Sequence, residues 1–363
     1  MYKHKRVVIL MLLTSFIYNC SANKTKNIPQ NGDLPPDIYV TRLSERILQL
    51  KVRGPLGTNI VVVATQKGLV VIDTYTAPII FEQVSDIVQK EFGRCDYAYV
   101  INSHFHVDHA GGNGYFEDVI MVGHEKMLEQ LKNRHARRVA WEHKYRNRVL
   151  GWIGDIKKEL AELDKTSKRA KEFMADLHLL DKVEKDFEQG FPVVPDNPRA
   201  NLTFTDKLIL ELGDITIECH DCQAGHSSGD ILIYIPEEEF LFTGDVTQSY
   251  IQSNVNMEQW LEQLDHFTQP DKPVKIILGG HDEQPFTKRD LRQLHDYFEE
   301  IWESVEKAHK QGLSLEQIQL KFTVDNMQSI KSLVDTPFAD TIENFRETHE
   351  HNVESIVNKL KQQ

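Results

Sequence analysis

The sequence has few cysteines, no long apolar run and no excess of positive charge. Four cysteines among 363 residues are too few for a fold held together by disulfides. The largely apolar stretch from Val7 to Tyr18 has twelve residues, whereas a helix that crosses a bilayer needs about 20. The 42 Lys and Arg residues are outnumbered by 55 Asp and Glu, which gives a net charge of −13. This balance argues against a broad nucleic-acid-binding surface, and 40% hydrophobic with 27% charged residues is typical of a globular protein. The partner that we expect is a small-molecule substrate.

The first twenty residues have the pattern of an export signal. A basic start precedes the apolar stretch, which ends close to Cys20. The segment Ile17–Ser21 resembles a bacterial lipoprotein box, in which the cysteine becomes the lipidated first residue. We therefore expect a signal peptide over residues 1–19, a flexible tether over residues 20–36 and a membrane anchor through a lipid on Cys20. Simple cleavage with secretion and an uncleaved anchor are the alternatives, and each places the protein outside the cytoplasm, in the periplasm or at the cell surface.

Strand and helix patterns divide the rest of the chain into three parts. Strand-like runs rich in Val and Ile alternate with helical stretches over residues 37–285, which favours a layered α/β domain. Within this domain, the charged stretch of about residues 125–190 has helical periodicity and no strand signal, so we interpret it as a helical insertion. Residues 286–363 are predicted to form a helical C-terminal extension.

The first part of the insertion is rich in basic and aromatic residues. They are Arg134, Arg137, Arg138, Trp141, Lys144, Tyr145, Arg146, Arg148 and Trp152. Such a segment is typical of a solvated helical hairpin with ordinary surface charge, which is the interpretation that we favour. The alternative is a lid that recognises an anionic or aromatic substrate.

A cluster of ligand-type side chains follows the predicted strand Tyr97–Ile101. Its members are His104, His106, Asp108 and His109. In an extended backbone, His104 and His106 point to the same side, and Gly111 and Gly112 allow a turn and a close backbone approach. Imidazoles together with carboxylates suit borderline divalent metals, zinc above all. The segment therefore predicts a metal site.

Three later residues of the same chemical kind also follow predicted strands. They are His226 in a Gly/Ser loop, Asp245 after an apolar strand, and His281 after the strand Val274–Leu278. Any one of them alone is more often an ordinary polar loop residue. Because α/β folds collect their sites at the carboxyl ends of strands, their shared placement predicts that they belong to the site.

These motifs resemble those of the metallo-β-lactamase superfamily. The matching pieces, in the family's order, are Asp73, the His104–His109 motif, His226, Asp245 and His281. Over about residues 38–285 the resemblance implies a four-layer αββα sandwich that binds two divalent metal ions, Zn²⁺ first, with Fe and Mn as alternatives. It assigns the first ion to His104, His106 and His226. It assigns the second to Asp108, His109 and His281, makes Asp245 the bridge between the two ions, and gives Asp73 a structural role beside them.

The chemistry of such a centre is metal-assisted hydrolysis. Metal binding lowers the pKa of water toward about 7, which supplies a metal-bound hydroxide as the nucleophile. Asp108 is the expected catalytic side chain, because it can orient that nucleophile or move its proton. We expect an exported hydrolase of an ester, lactone, thioester, phosphodiester or sulfate ester, because having both His109 and Asp245 resembles those branches of the superfamily. A true β-lactamase is the first alternative, and a non-catalytic metal-binding protein of the same fold is the second. The sequence predicts no oligomeric state.

Overall fold

The computed structural model describes residues 7–9, 34–55, 57–116, 118–136, 138–188, 201–222, 225–252, 255–334, 336–339 and 341–362. Most of the predicted signal peptide, Cys20 and residues 20–33 of the predicted tether lie outside the described residues. The described residues form two compact units. The N-terminal unit contains residues 8–205 and 210–215, and the C-terminal unit contains Val7, residues 206–209 and the chain from residue 216 onward.

A seven-stranded sheet forms the centre of the N-terminal unit. From edge to edge its strands are β2 (Ile38–Arg42), β3 (Ile47–Val52), β4 (Asn59–Thr65), β5 (Gly68–Ile72), β6 (Tyr97–Ile101), β7 (Ile120–His124) and β8 (Leu202–Phe204). The pairs from β2 to β5 are antiparallel and those from β5 to β8 are parallel. Residues of β5 are buried throughout, which explains why its sequence is a continuous apolar run rather than an alternating one.

The helices of the N-terminal unit include those of the predicted insertion. They are α1 (Ile80–Phe92), α2 (Val107–Ala110), α3 (Glu125–Ala136), α4 (Arg138–Glu162) and α5 (Lys168–Glu188). The buried face of α1, which includes Phe81, Val84 and Val88, packs in one core with strand residues such as Val71 and Val100. The domain boundaries proposed from the sequence stay a prediction, whereas the helical character of the insertion is confirmed.

The insertion is joined to the sheet by a buried arginine. The side chain of Arg53, only 4% exposed, donates to Asp176 over 2.8 Å and to Glu172 over 2.6 Å, both on α5. Arg146 on α4 is 41% exposed and pairs with Glu184 and Glu188 on α5. Arg146 of the basic segment thus pairs within the hairpin, which favours the hairpin interpretation. The side chains of Arg134, Arg137 and Arg138 lie outside the description.

A second sheet forms the centre of the C-terminal unit. Its strands, in spatial order, are β1 (Val7–Ile9), β9 (Lys207–Glu211), β10 (Thr216–Asp221), β11 (Ile231–Ile235), β12 (Phe240–Gly244) and β13 (Ile276–Gly279). The last pair, β12 with β13, is parallel, whereas β10–β11 and β11–β12 are antiparallel.

The helices of the C-terminal unit pack against this sheet and share one large hydrophobic core with it. They are α6 (Met257–Thr268), α7 (Lys288–Lys310), α8 (Leu315–Lys321), α9 (Gln328–Leu333) and α10 (Ile342–Leu360). Trp260, Leu294 and Phe298 pack in the same core as Leu232 and Ile277 of the sheet. The predicted helical C-terminal region is therefore confirmed. Within the described residues, no helix combines the length and apolar character needed to span a bilayer.

Candidate metal centre

The four ligand-type residues of the N-terminal unit lie together where β6 ends. The rings of His104 and His106 have their centroids 4.6 Å apart, and those of His104 and His109 are 4.2 Å apart. Asp108 Oδ2 lies 3.6 Å from His109 Nε2. Because α2 begins at Val107, directly after extended His106, the chain changes direction between the two pairs. This change brings Asp108 and His109 beside the first two histidines, as the sequence predicts.

Asp73 orients two of these histidines through hydrogen bonds. Its carboxylate accepts from the Ser103 backbone N–H and hydroxyl and from His109 Nδ1, each over 2.7 Å. Since the Ser103 hydroxyl gives its hydrogen to Asp73, its oxygen is left to accept from His104 Nδ1, 3.1 Å away. Both imidazoles are thereby held with hydrogen on Nδ1 and the lone pair on Nε2. This is the arrangement in which a histidine binds a metal while a carboxylate fixes its ring.

Asp73 is itself in an unusual state. Its φ of 58° lies in the left-handed region that side chains other than glycine rarely adopt. Burial raises the pKa of its carboxyl group, while His109 and Ser103 oppose that rise. The surrounding hydrogen bonds hold the residue in this conformation, which aims its carboxylate at the motif.

A polar network supports the turn that carries His109. The backbone carbonyl of His109 accepts from the N–H of Thr74 over 2.7 Å and from the Asn102 side chain over 3.0 Å. Asn113 donates to Asn102 Oδ1 over 2.7 Å, and Thr74 Oγ1 donates to Asn113 Oδ1 over 2.7 Å. All four residues are buried. The network therefore fixes the backbone of the motif independently of any ligand.

The three ligand-type residues of the C-terminal unit also lie together. His226 Nε2 is 3.5 Å from Asp245 Oδ2, and His281 Nε2 is 3.2 Å from the same oxygen. The side chain of Asp245 is 4% exposed, whereas that of His281 is 37% exposed. One carboxylate oxygen thus faces the Nε2 atoms of both histidines.

The loops carrying these three residues are fastened by short hydrogen bonds. Gly280 N–H donates to the Gly244 carbonyl over 2.7 Å, at the end of the parallel pair β12–β13. This bond places Asp245 next to His281. Asp282 Oδ2 accepts from the Gly279 N–H over 2.9 Å and closes the turn around His281.

Asp230, to which sequence reasoning gave no role, anchors the loop of His226. Its carboxylate accepts from the backbone N–H groups of His226 and Ser227 over 2.7 and 2.6 Å. Burial raises the pKa of Asp230 to about 7, against the lowering effect of these hydrogen bonds. The signal in the sequence was an aspartate just past a loop histidine, ahead of an apolar strand.

The two clusters have the donors that a divalent metal requires. The ligand atoms of His104 and His106, of Asp108 and His109, and of His226 and Asp245 lie within 4.8 Å of one another in each pair. Imidazole nitrogens and carboxylate oxygens at such separations suit Zn²⁺ and related ions. The hydrogen bonds of Asp73 add the outer contact that metal-bound histidines use. The residues present therefore fit a metal.

Comparison with known families agrees with this description. The model of the metallo-beta-lactamase superfamily matches residues 53–308. The chain belongs to the metallo-β-lactamase superfamily. The predicted fold class, the mixed α/β fold of that superfamily with a helical C-terminal region, is confirmed.

Among solved structures, the chain is similar to sec-alkylsulfatases and to a metallo-β-lactamase. The stereoselective inverting sec-alkylsulfatase Pisa1 from Pseudomonas sp. is 14% identical, with a TM-score of 0.59 over 89% of this chain and 50% of that chain. A double mutant of sec-alkyl sulfatase PisA1 is 15% identical, with a TM-score of 0.60 and the same coverage. A metallo-β-lactamase from Pontibacter korlensis is 14% identical, with a TM-score of 0.46 over 72% of this chain and 99% of that chain. The chain spans about half the length of the sulfatases, and these likenesses concern the fold.

The position of Asp73 leads to a first prediction. Asp73→Ala should lower zinc affinity by about 10- to 100-fold, because His109 loses the hydrogen bond that orients its ring and the Ser103 hydroxyl, which accepts from His104, loses its own acceptor. Competition with a chromogenic chelator measures this affinity. The matched control is Asp186→Asn, which alters another buried carboxylate of the same unit, one that accepts from the Ile79 N–H. Equal losses of affinity in both variants would assign the effect to general destabilisation.

Proposed function

We propose that the protein is a metal-dependent hydrolase that binds two divalent ions through seven residues, and that Zn²⁺ is the favoured metal. These residues are His104, His106, Asp108, His109, His226, Asp245 and His281. The observation that carries this proposal is the hydrogen-bond pattern around Asp73, which places hydrogen on Nδ1 and the lone pair on Nε2 in both His104 and His109, the tautomer that binds a metal through Nε2. Membership of the superfamily and the shared carboxylate of Asp245 support it further.

Each group of side chains has a separate role in the proposed hydrolysis. Divalent ions bound here would lower the pKa of water and polarise the electrophile. Asp108, whose side chain is 28% exposed, is the residue that we assign to catalysis. Its Oδ2 can accept a proton from the attacking water and pass it to the leaving group. Asp73 and Asp230 keep the histidines in place while charge develops.

The substrate class that we propose is a small ester in the broad sense. It includes carboxylic esters, lactones, thioesters, phosphodiesters and sulfate esters. The presence of both His109 and Asp245 favours these substrates over β-lactams. The sulfatases share the fold at low identity, and only 50% of their own chain is matched. A sulfate ester is therefore one member of this class rather than its expected outcome.

A substrate panel tests the proposal. The zinc-loaded protein, without its leader, is assayed with a lactone, a thioester, a phosphodiester, an aryl sulfate and a chromogenic cephalosporin. We expect turnover of one ester class that a chelator abolishes and added zinc restores, with His104→Ala as the inactive control. Robust cephalosporin turnover would refute the ester assignment in favour of a β-lactamase. No turnover of any substrate by fully loaded protein would contradict the hydrolase and favour a metal-binding protein.

We also propose that the protein is exported and anchored in a bacterial membrane through a lipid on Cys20. The basic start, the twelve-residue apolar stretch and the segment Ile17–Ser21 support this proposal. Cys20→Ser should move the protein from the membrane pellet into the soluble fraction, because the attachment atom is lost. Ser21→Ala, which changes the neighbouring residue only, should stay in the pellet. Unchanged partitioning of Cys20→Ser would exclude the lipid anchor.

A further inference from the structure

The backbone that follows Asp245 is held by a side chain about one hundred residues further along the chain. Asn352 on α10 is fully buried. Its Oδ1 accepts from the Ile251 N–H over 2.7 Å, and its Nδ2 donates to the Ser249 carbonyl over 2.9 Å. Asn352 therefore binds the backbone on both sides of Tyr250, which is 40% exposed.

The remaining hydrogen of the Asn352 amide continues into a buried network. Nδ2 also donates to the Tyr297 hydroxyl over 3.0 Å. The Tyr297 hydroxyl lies 3.1 Å from His349 Nδ1, and His349 Nε2 lies 2.8 Å from the Phe322 carbonyl. Since a carbonyl can only accept, Nε2 carries the hydrogen and Nδ1 accepts from Tyr297. Each group then has a partner of the right kind, so the orientation of the Asn352 amide is fixed.

The beginning of the same segment is fastened on the other side. Trp260 Nε1 donates to the Val246 carbonyl over 3.0 Å, and the hydroxyls of Thr243 and Thr247 are 2.7 Å apart. The segment from Asp245 to Ile251 is thus held at its start by α6 and β12 and at its end by α10. The two apolar ends, Val246 and Ile251, are buried in the core of the C-terminal unit.

We propose that Asn352 is a positioning residue of the metal centre, and that α10 contributes to metal binding through it. By fixing the backbone on both sides of Tyr250, Asn352 limits the movement of the loop that starts at Asp245, the residue proposed to bridge the two ions. The inference rests on the proposed function for the role of Asp245. It assigns to the C-terminal helix a purpose beyond covering the sheet.

Cobalt binding provides the test, since Co²⁺ reports ligand geometry through its visible spectrum. Asn352→Ala in the full chain should weaken Co²⁺ binding by about 10-fold, the lower end for residues that support ligands, and shift the absorption bands. The matched control is Tyr297→Phe, which removes the neighbouring hydroxyl of the same network and leaves the bonds to Ser249 and Ile251 in place. The control should melt at a lower temperature yet keep the affinity and spectrum of the unaltered protein.

A second variant covers the case in which Asn352→Ala fails to fold. Asn352→Asp keeps an oxygen for the Ile251 N–H and loses the donor to the Ser249 carbonyl, so a smaller shift in the same direction is expected. An unaltered Co²⁺ spectrum and affinity in the folded Asn352 variants would overturn the inference, as would equal changes in Tyr297→Phe. An unaltered protein that binds Co²⁺ but hydrolyses no substrate would contradict the hydrolase alone, because the titration decides the role of Asn352 without turnover.

Discussion

Asp245→Ala is expected to leave about one metal ion per chain and to lower turnover by more than about 100-fold. Loss of a residue that only supports a metal ligand already costs up to about 100-fold in activity, and a direct ligand should cost more. The physical reason is the position of its carboxylate. A single oxygen faces the Nε2 atoms of His226 and His281 at 3.5 and 3.2 Å. Removing the carboxylate takes away a charged group that lies close to both histidines. Metal analysis of the dialysed protein and the hydrolysis assay measure the two effects.

The control for this variant is a carboxylate of the same unit that lies away from the cluster. Asp265 on α6 pairs with Arg292 and is 42% exposed. Asp265→Ala should keep both ions and full turnover. Asp245→Asn, which preserves the size of the side chain, should lose metal as Asp245→Ala does, because the charge is lost. Two ions and unchanged turnover in Asp245→Ala would refute the bridging assignment.

Strands were predictable where the chain supplies a buried run of β-branched and aromatic residues. β6, for example, begins and ends at the predicted residues, Tyr97–Ile101. β8 was missed because three residues, Leu202–Phe204, are too few to show a period. α6 was missed although Met257, Trp260 and Leu264 already stand at helical spacing. β8 was therefore too short to be predicted, whereas α6 was missed because its apolar pattern was overlooked.

The candidate site likewise contains residues that the sequence predicted and supporting residues that it did not. Residues such as His104 and His281 were predictable because each follows a strand, and both do so in the structure. Their role as metal ligands stays a prediction. The side chains that fix them depend on turn geometry and on distant packing. Asp230 reaches back to the N–H of His226, and Asn352 reaches Ser249 across the core. No local pattern announces such bonds, since they form only after the core brings the segments together.

Gly112→Ala is expected to lower the free energy of unfolding by about 3–5 kcal/mol, at the upper end of single substitutions. A Cβ on Gly112 would lie 2.0 Å from the Thr74 carbonyl oxygen and 3.1 Å from Phe81 Cε2. Thr74 has no freedom to retreat, because its N–H donates to the His109 carbonyl over 2.7 Å and its hydroxyl donates to Asn113 Oδ1 over 2.7 Å. Relief of the clash must therefore shift the turn that carries Asp108 and His109. Urea unfolding of the metal-free protein measures the loss without a contribution from bound ions.

The chain offers a matched control in Gly154→Ala. A Cβ at Gly154, within α4, would meet no atom within 4 Å. Alanine is favoured over glycine in a helix by about 1 kcal/mol, so this variant should be slightly more stable than the unaltered protein. The same chemical change is thus expected to act in opposite directions at the two positions. Equal urea midpoints for Gly112→Ala and Gly154→Ala would contradict the prediction. They would show that a Cβ at residue 112 is accommodated beside the Thr74 carbonyl, so that this close approach does not fix the turn. The support of His109 must then be sought in the hydrogen bonds of Asn102 and Asp73.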